Sequence, residues 1–135
     1  MLSIERVMTR NVISINRETP IFEAMEMLIK HKISGLPVVD VDMKVVGILS
    51  EKDVLWMLID KNLNVQKTVG DYMTKEVVCF KEDADAIDIC KLFIRQNIRR
   101  VPIVRDGKLV GIISRRDIVN LIIEAKSELS DFRLS

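Results

Sequence analysis

Apolar residues recur along this chain in short blocks that switch between two periods. Ile21, Ala24, Met25, Leu28 and Ile29 keep the i, i+3, i+4, i+7, i+8 spacing of a helix with one core-facing stripe. Ala86, Ile89, Cys90, Phe93 and Ile94 repeat that stripe later in the chain. Each helix is followed by an apolar run holding one proline, Leu36-Pro37-Val38-Val39 and Val101-Pro102-Ile103-Val104. Proline has no N–H for a sheet ladder, so it belongs at a strand start or edge. The runs Val45–Leu49 and Leu109–Ile113 are apolar at successive positions and predict central strands covered on both faces. A closing helix is predicted from Val54, Leu55, Leu58 and Ile59, and again from Ile118, Val119, Ile122 and Ile123. A short β-type run, Val12–Ile15, stands before the first helix.

The punctuation between blocks supports these boundaries. Thr19 before Pro20 predicts an N-cap with proline at the first helical position. In the second block Asp85 replaces the proline, so Asp83 is the expected cap. Asp106-Gly107 is a two-residue hairpin signal, whereas residues 40–43 form a longer and less regular turn.

The two blocks are copies. Met8-Thr9 and Met73-Thr74, Val12 and Val77, Pro37 and Pro102, and Val39 and Val104 all stand 65 residues apart. Beyond the turn the offset drops to 64, as in Gly47 and Gly111, Ser50 and Ser114, and Asp53 and Asp117. The predicted order β–α–β–β–α, twice, describes an α/β chain with pseudo-twofold symmetry whose halves fold as one body. Residues 3–59 and 68–123 are the repeats, 60–67 a polar linker and 124–135 a tail.

Composition narrows the chemistry. Of 135 residues, 48% are hydrophobic, enough for a core, and no apolar run approaches the length of a membrane span. Glu5 and Arg6 interrupt the start where a signal peptide needs apolar residues, so the expected location is the cytoplasm. A net charge of +1 argues against nucleic acid as a partner, although Arg99, Arg100, Arg105, Lys108, Arg115 and Arg116 cluster in the second half. Cys79 and Cys90 lack any metal-ligand or dithiol spacing and are expected to be small buried hydrophobes. No metal site is expected. His31 has no partner for catalysis, Trp56 and Tyr72 are isolated aromatics, and the five glycines form no phosphate loop. No residue set supports an enzyme.

What remains is the repeated phrase Gly47-Ile-Leu-Ser-Glu-Lys-Asp53 and Gly111-Ile-Ile-Ser-Arg-Arg-Asp117. Ser-x-x-Asp at a strand-to-helix junction is a capping box, and capping alone accounts for the spacing. The same geometry offers free N–H groups to phosphate and a carboxylate to vicinal hydroxyls, so capping and binding are compatible.

The paired Met-Thr-x-x-Val segments, Ile-Ser-Gly-Leu-Pro-Val-Val-Asp at 33–40, Ile-Arg-Arg-Val-Pro-Ile-Val at 98–104 and the two Ser-x-x-Asp phrases together resemble a tandem pair of cystathionine-β-synthase (CBS) domains, a Bateman module. The resemblance implies a non-catalytic regulatory unit that binds an adenosine-containing ligand in clefts between the repeats, AMP first, then ADP or ATP. It implies no required cofactor, a homodimer, and a regulated protein encoded elsewhere. It puts Asp53 and Asp117 on ribose hydroxyls, with Ser50, Ser114, Lys52 and Arg116 near phosphates. It has the adenine gripped by the backbone of Asn11, Ile13, Ile33 and Ser34, and by that of Glu76, Val78, Ile98 and Arg99, each cleft combining the aspartate of one repeat with the strand of the other. Arg99-Arg100 fits the family's basic pair for phosphate, a place where the first repeat has Ser34-Gly35. Arg115-Arg116 is a further source of positive charge for the latter. The alternatives are an interaction module with vacant sites, or a binder of S-adenosylmethionine or nucleic acid.

Overall fold

The computed structural model describes residues 2–61 and 66–128. Residues 62–65 of the expected linker and 129–135 of the expected tail lie outside them. The chain is α/β and runs α1 (Ile21–His31), β1 (Gly35–Val39), β2 (Val45–Ser50), α2 (Glu51–Leu55), α3 (Val69–Tyr72), β3 (Phe80–Lys81), α4 (Ala86–Arg95), β4 (Arg100–Arg105), β5 (Lys108–Ser114) and α5 (Arg115–Glu124). It packs as two compact units. Of the described residues, the first-repeat unit holds 13–61 and 66–77 with 107–109; the second-repeat unit holds 2–12, 78–106 and 110–128. Packing does not follow the repeats, because the opening segment of each, up to Val12 in the first and up to Val77 in the second, packs with the other copy.

Hydrogen bonds and glycines fix those exchanged segments. The Ile48 and Thr74 backbones bond each other both ways, at 2.9 and 2.8 Å, and Thr9 and Ile112 do the same at 2.9 Å. Gly47 lies so close that a Cβ there would sit 2.9 Å from both the Thr74 carbonyl oxygen and the Met73 sulfur. Gly111 meets Met8 and Thr9 in the same way, at 3.0 and 3.1 Å. The glycine of each repeated phrase is thus the partner of a Met-Thr segment. Gly47→Ala is expected to cost about 1–3 kcal/mol through this overpacking, read as a lower thermal midpoint.

Each unit has its own core. Ile15, Ile21, Ala24, Leu28, Leu36, Val38, Leu49, Met57, Val69 and Met73 fill the first-repeat unit. Ile4, Met8, Ala86, Ile89, Phe93, Val101, Ile103, Ile113, Ile118 and Leu121 fill the second. In the first, β1 pairs antiparallel with β2, Gly35 opposite Ser50. In the second, β3 runs parallel to β4, and β4 lies beside β5. Asp106 and Gly107 both have positive φ, 52° and 79°, as the two-residue hairpin between β4 and β5 requires.

Several expected details move. Val12–Ile15 makes only a single bridge, Ile15 to Val38. Thr19 does not cap α1; its hydroxyl donates to Asn16 Oδ1, and Pro20 is the capping residue without a side-chain bond. Asp85, not Asp83, caps α4 by accepting from the Ile87 N–H. β2 and β5 are fully buried at alternate positions only, the residues between being half-buried. Ile29 and Ile94 leave the expected stripe and are 80% and 84% exposed. At 3.6 residues per turn the eighth residue on has turned about 80° away from the first, past the edge of a small core. The first closing helix tightens into a 3₁₀ turn at Trp56–Leu58, which buries Met57 and leaves Leu55, Leu58 and Ile59 outside. In α5, Ile118 and Leu121 face the core, while Val119, Ile122 and Ile123 are exposed. Cys79 and Cys90 are half-buried free thiols, and burial raises the pKa of both.

Tyr72 is fastened to Asp60, the residue after the first repeat, its hydroxyl donating to Asp60 Oδ2 at 2.7 Å. That bond, with desolvation adding to it, pushes the phenol up to about 12. A folded-state pKa above the unfolded value near 10 means the bond stabilises fully below that pH and is lost as pH climbs through the folded value. The absorbance titration of this sole tyrosine should therefore have its midpoint near 12, and Asp60→Asn should bring it back toward that of free tyrosine.

Candidate functional site

Each unit brings together two of the segments singled out in the sequence. In the second-repeat unit, β5 ends at Ser114, whose hydroxyl oxygen accepts from the Asp117 N–H at 3.2 Å. Asp117 Oδ2 reaches back to accept from the Ser114 N–H at 2.8 Å, completing the box. The Arg115 N–H donates to the Arg99 carbonyl at 3.1 Å, setting the segment before β4 against the start of α5. In the first-repeat unit the same relation holds: Glu51 N–H donates to the Ser34 carbonyl at 2.9 Å, and Asp53 Oδ2 accepts from Ser50 N–H at 2.9 Å.

The two boxes differ in what is left over. Asp53 also accepts from the Ser50 hydroxyl at 3.0 Å, and its Oδ1 accepts from the Thr74 hydroxyl at 2.9 Å. Asp117 Oδ1 has no partner among the described residues, although Thr9 stands where Thr74 does in the other copy. Asp117 also stands in the first turn of a ten-residue helix, against the five residues of α2. The carboxylate with an open oxygen is the one on the longer helix.

The remaining expected residues divide between the units. Ile13, Ile33, Ser34, Gly35, Ser50, Lys52, Asp53 and Glu76 fall in the first-repeat unit; Asn11, Val78, Ile98, Arg99, Arg100, Ser114, Arg116 and Asp117 fall in the second. Gly35 is buried, Ile13, Ile33, Ser34, Ile98 and Arg100 are half-buried, and Asn11, Glu76 and Val78 are exposed. Lys52, Arg99 and Arg116 are exposed, with no side-chain ion pair or hydrogen bond among the described residues. Arg115 behaves otherwise than expected. Its guanidinium is spent on backbone carbonyls, so it is not a spare charge for an anion. A cavity of about 580 Å³ in the first-repeat unit, lined by Arg17, Glu18, Glu23, Met27, Asp40 and neighbours, contains none of the expected ligand residues.

Sequence reasoning missed Thr74 and a third box. Thr68 N–H donates to Asp71 Oδ2 at 2.8 Å, and this bond holds the Asp71 carboxyl below its ordinary range. The Thr-x-x-Asp spacing was the available signal. No group of acidic, histidine or cysteine side chains among the described residues is arranged to hold a metal, and no helix among them is long and apolar enough to cross a membrane.

Comparison with known proteins meets this geometry. The CBS domain family model matches residues 4–60 and 69–124. Inosine-5'-monophosphate dehydrogenase of Methanocaldococcus jannaschii is 40% identical over 116 residues, which cover 85% of this chain and 22% of that protein. The chain spans less than half the length of several curated relatives it matches. The structure of CBSX2 of Arabidopsis thaliana in complex with AMP superposes with a TM-score of 0.84 at 30% identity, covering 93% of this chain and 99% of that one. The CBS domain pair of MJ0100, in complex with 5'-methylthioadenosine and S-adenosyl-L-methionine, gives 0.79 at 31% identity, covering 89% and 94%. With both repeats matched and both Ser-x-x-Asp boxes formed, the chain belongs to the CBS domain family and carries the domain as a tandem pair.

Proposed function

We propose that this chain is a non-catalytic regulatory module of the cytoplasm that binds an adenosine-containing ligand, AMP before ADP or ATP, and signals by a shift in conformation. The observation that carries the proposal is the Asp117 carboxylate, which completes the capping box of α5 with one oxygen and has no partner on the other among the described residues. An open carboxylate oxygen suits a ribose diol. Exposed Arg116 and Arg99, on either side of the Arg115–Arg99 backbone bond, suit phosphate oxygens. Complexes of CBSX2 with AMP and of MJ0100 with methylthioadenosine and S-adenosylmethionine support the ligand class. Asp53 is the weaker ribose acceptor, because Thr74 already uses the oxygen that a diol needs.

A ligand that binds only the folded protein raises its stability by about 2.7 kcal/mol at one hundred times its dissociation constant. The thermal midpoint should accordingly climb with AMP concentration. A flat response to AMP, ADP, ATP and S-adenosylmethionine defeats the proposal.

Exposed apolar side chains support a homodimer as the signalling form. Leu55, Leu58 and Ile59 in one repeat and Val119, Ile122 and Ile123 in the other occupy matching positions, and all are about half exposed or more. The same exposed side chains favour a second reading, an interaction module with vacant ligand sites. Native mass spectrometry of the purified protein separates the two, since a vacant module carries no nucleotide and gains none when AMP is added.

A further inference from the structure

We propose that Arg115 is a positioning residue: it clamps the connector between α4 and β4 to the start of α5, holding Ile98 and Arg99 in place for the ligand. The inference deepens the nucleotide-binding proposal and rests on it. Arg115 Nε donates to the Ile98 carbonyl at 2.9 Å. The other arm of the fork, Nη2, donates to the carbonyls of Phe93 at 3.1 Å and Gln96 at 3.3 Å. The guanidinium also stands 6.0 Å from the centroid of the Phe93 ring, within cation–π range. One side chain therefore gathers the end of α4 and the connector, while its own N–H holds Arg99.

The other repeat shows why an arginine is needed here. α1 ends with Lys32 in the left-handed region, φ 53°, and the N–H groups of Lys32 and Ile33 satisfy the carbonyls of Leu28 and Ile29. α4 ends differently: Gln96 is extended, at φ −125° and ψ 151°, and no residue of its connector has positive φ. The carbonyls of Phe93, Gln96 and Ile98 then take a donor from outside, and the planar fork of Arg115 supplies it. At the matching place in the first repeat stands Glu51, whose carboxylate has no donor to give and, with α1 closed by its own backbone, faces no such demand. The charge reversal between the copies follows from how each preceding helix ends.

Arg115→Gln in the full chain tests the assignment, with Glu51→Gln as control. Hydrogen exchange in ligand-free protein should speed up at least several-fold in residues 96–100 of Arg115→Gln and stay unchanged there in the control. Affinity for AMP and for adenosine should fall by the same factor, about tenfold, because a positioning residue acts on the nucleoside whatever phosphate it carries. A loss confined to AMP would make Arg115 a phosphate contact and overturn the proposal. So would unchanged exchange in 96–100, or faster exchange with both affinities intact. If the parent binds neither compound, the nucleotide proposal fails by itself, and exchange in 96–100 still decides whether Arg115 clamps the connector.

Discussion

Asp117→Ala is expected to lower AMP affinity about 30- to 150-fold, the equivalent of about 2–3 kcal/mol for lost hydrogen bonds to a charged acceptor. Two effects must be separated in that variant. Asp117 Oδ2 also completes the capping box by accepting from the Ser114 N–H, so its removal costs about 1 kcal/mol of stability by itself. The capping loss shows in the ligand-free thermal midpoint; the binding loss shows in calorimetry at a temperature where the variant is folded. Asp53→Ala should lose more stability, since its carboxylate also accepts from the Ser50 and Thr74 hydroxyls, and far less affinity, since Thr74 already engages the Asp53 Oδ1. Equal losses of affinity in the two variants would show the carboxylates to be equivalent, against the difference in their hydrogen bonds.

The second large effect is on assembly. Charged substitution of Leu58 and Ile122, which are 89% and 48% exposed, should convert a dimer to a monomer. Each apolar side chain removed from an interface forfeits about 1.5–3 kcal/mol of burial. Two such positions appear twice in a homodimer, so the shift in dissociation constant exceeds a hundredfold. Sedimentation at fixed concentration reads it directly. A parent protein that is already monomeric at high concentration refutes the homodimer; a variant that stays dimeric places the interface on another surface.

The repeat, the order of elements and both Ser-x-x-Asp boxes were legible because each rests on local chemistry. Cap, strand proline and hairpin signals act within a few residues, and duplication shows every signal twice. What the sequence hid depends on distance along the chain. Nothing near Gly47 announces that Met73-Thr74 will lie against it, or that Thr74 will take an oxygen of Asp53. The same holds for the exchanged packing of the opening segment of each repeat. Arg115 looked like surface charge because its partners are carbonyls some 17 to 22 residues earlier, which carry no side-chain signature. The misplaced stripe residues have a different cause. Ile29 and Ile94 satisfy helical periodicity, but periodicity says nothing of how far a core extends, and these cores end at Leu28 and Phe93, the residues just before them.

Asp60 and Tyr72 illustrate the boundary between the two kinds of information. The sequence marks residues 60–67 as a polar connection, yet Asp60 is recruited by a phenol twelve residues away. Asp60, just past the first repeat, is thus fastened to Tyr72 in the first helix of the second.

The central claim is that an Asp117 oxygen receives the ribose diol, and a double-mutant cycle with 2'-deoxy-AMP tests it most directly. The parent protein should bind AMP at least tenfold more tightly than 2'-deoxy-AMP, and Asp117→Ala should bind the two alike. Discrimination that survives intact in Asp117→Ala would place the ribose on some other group and contradict the account.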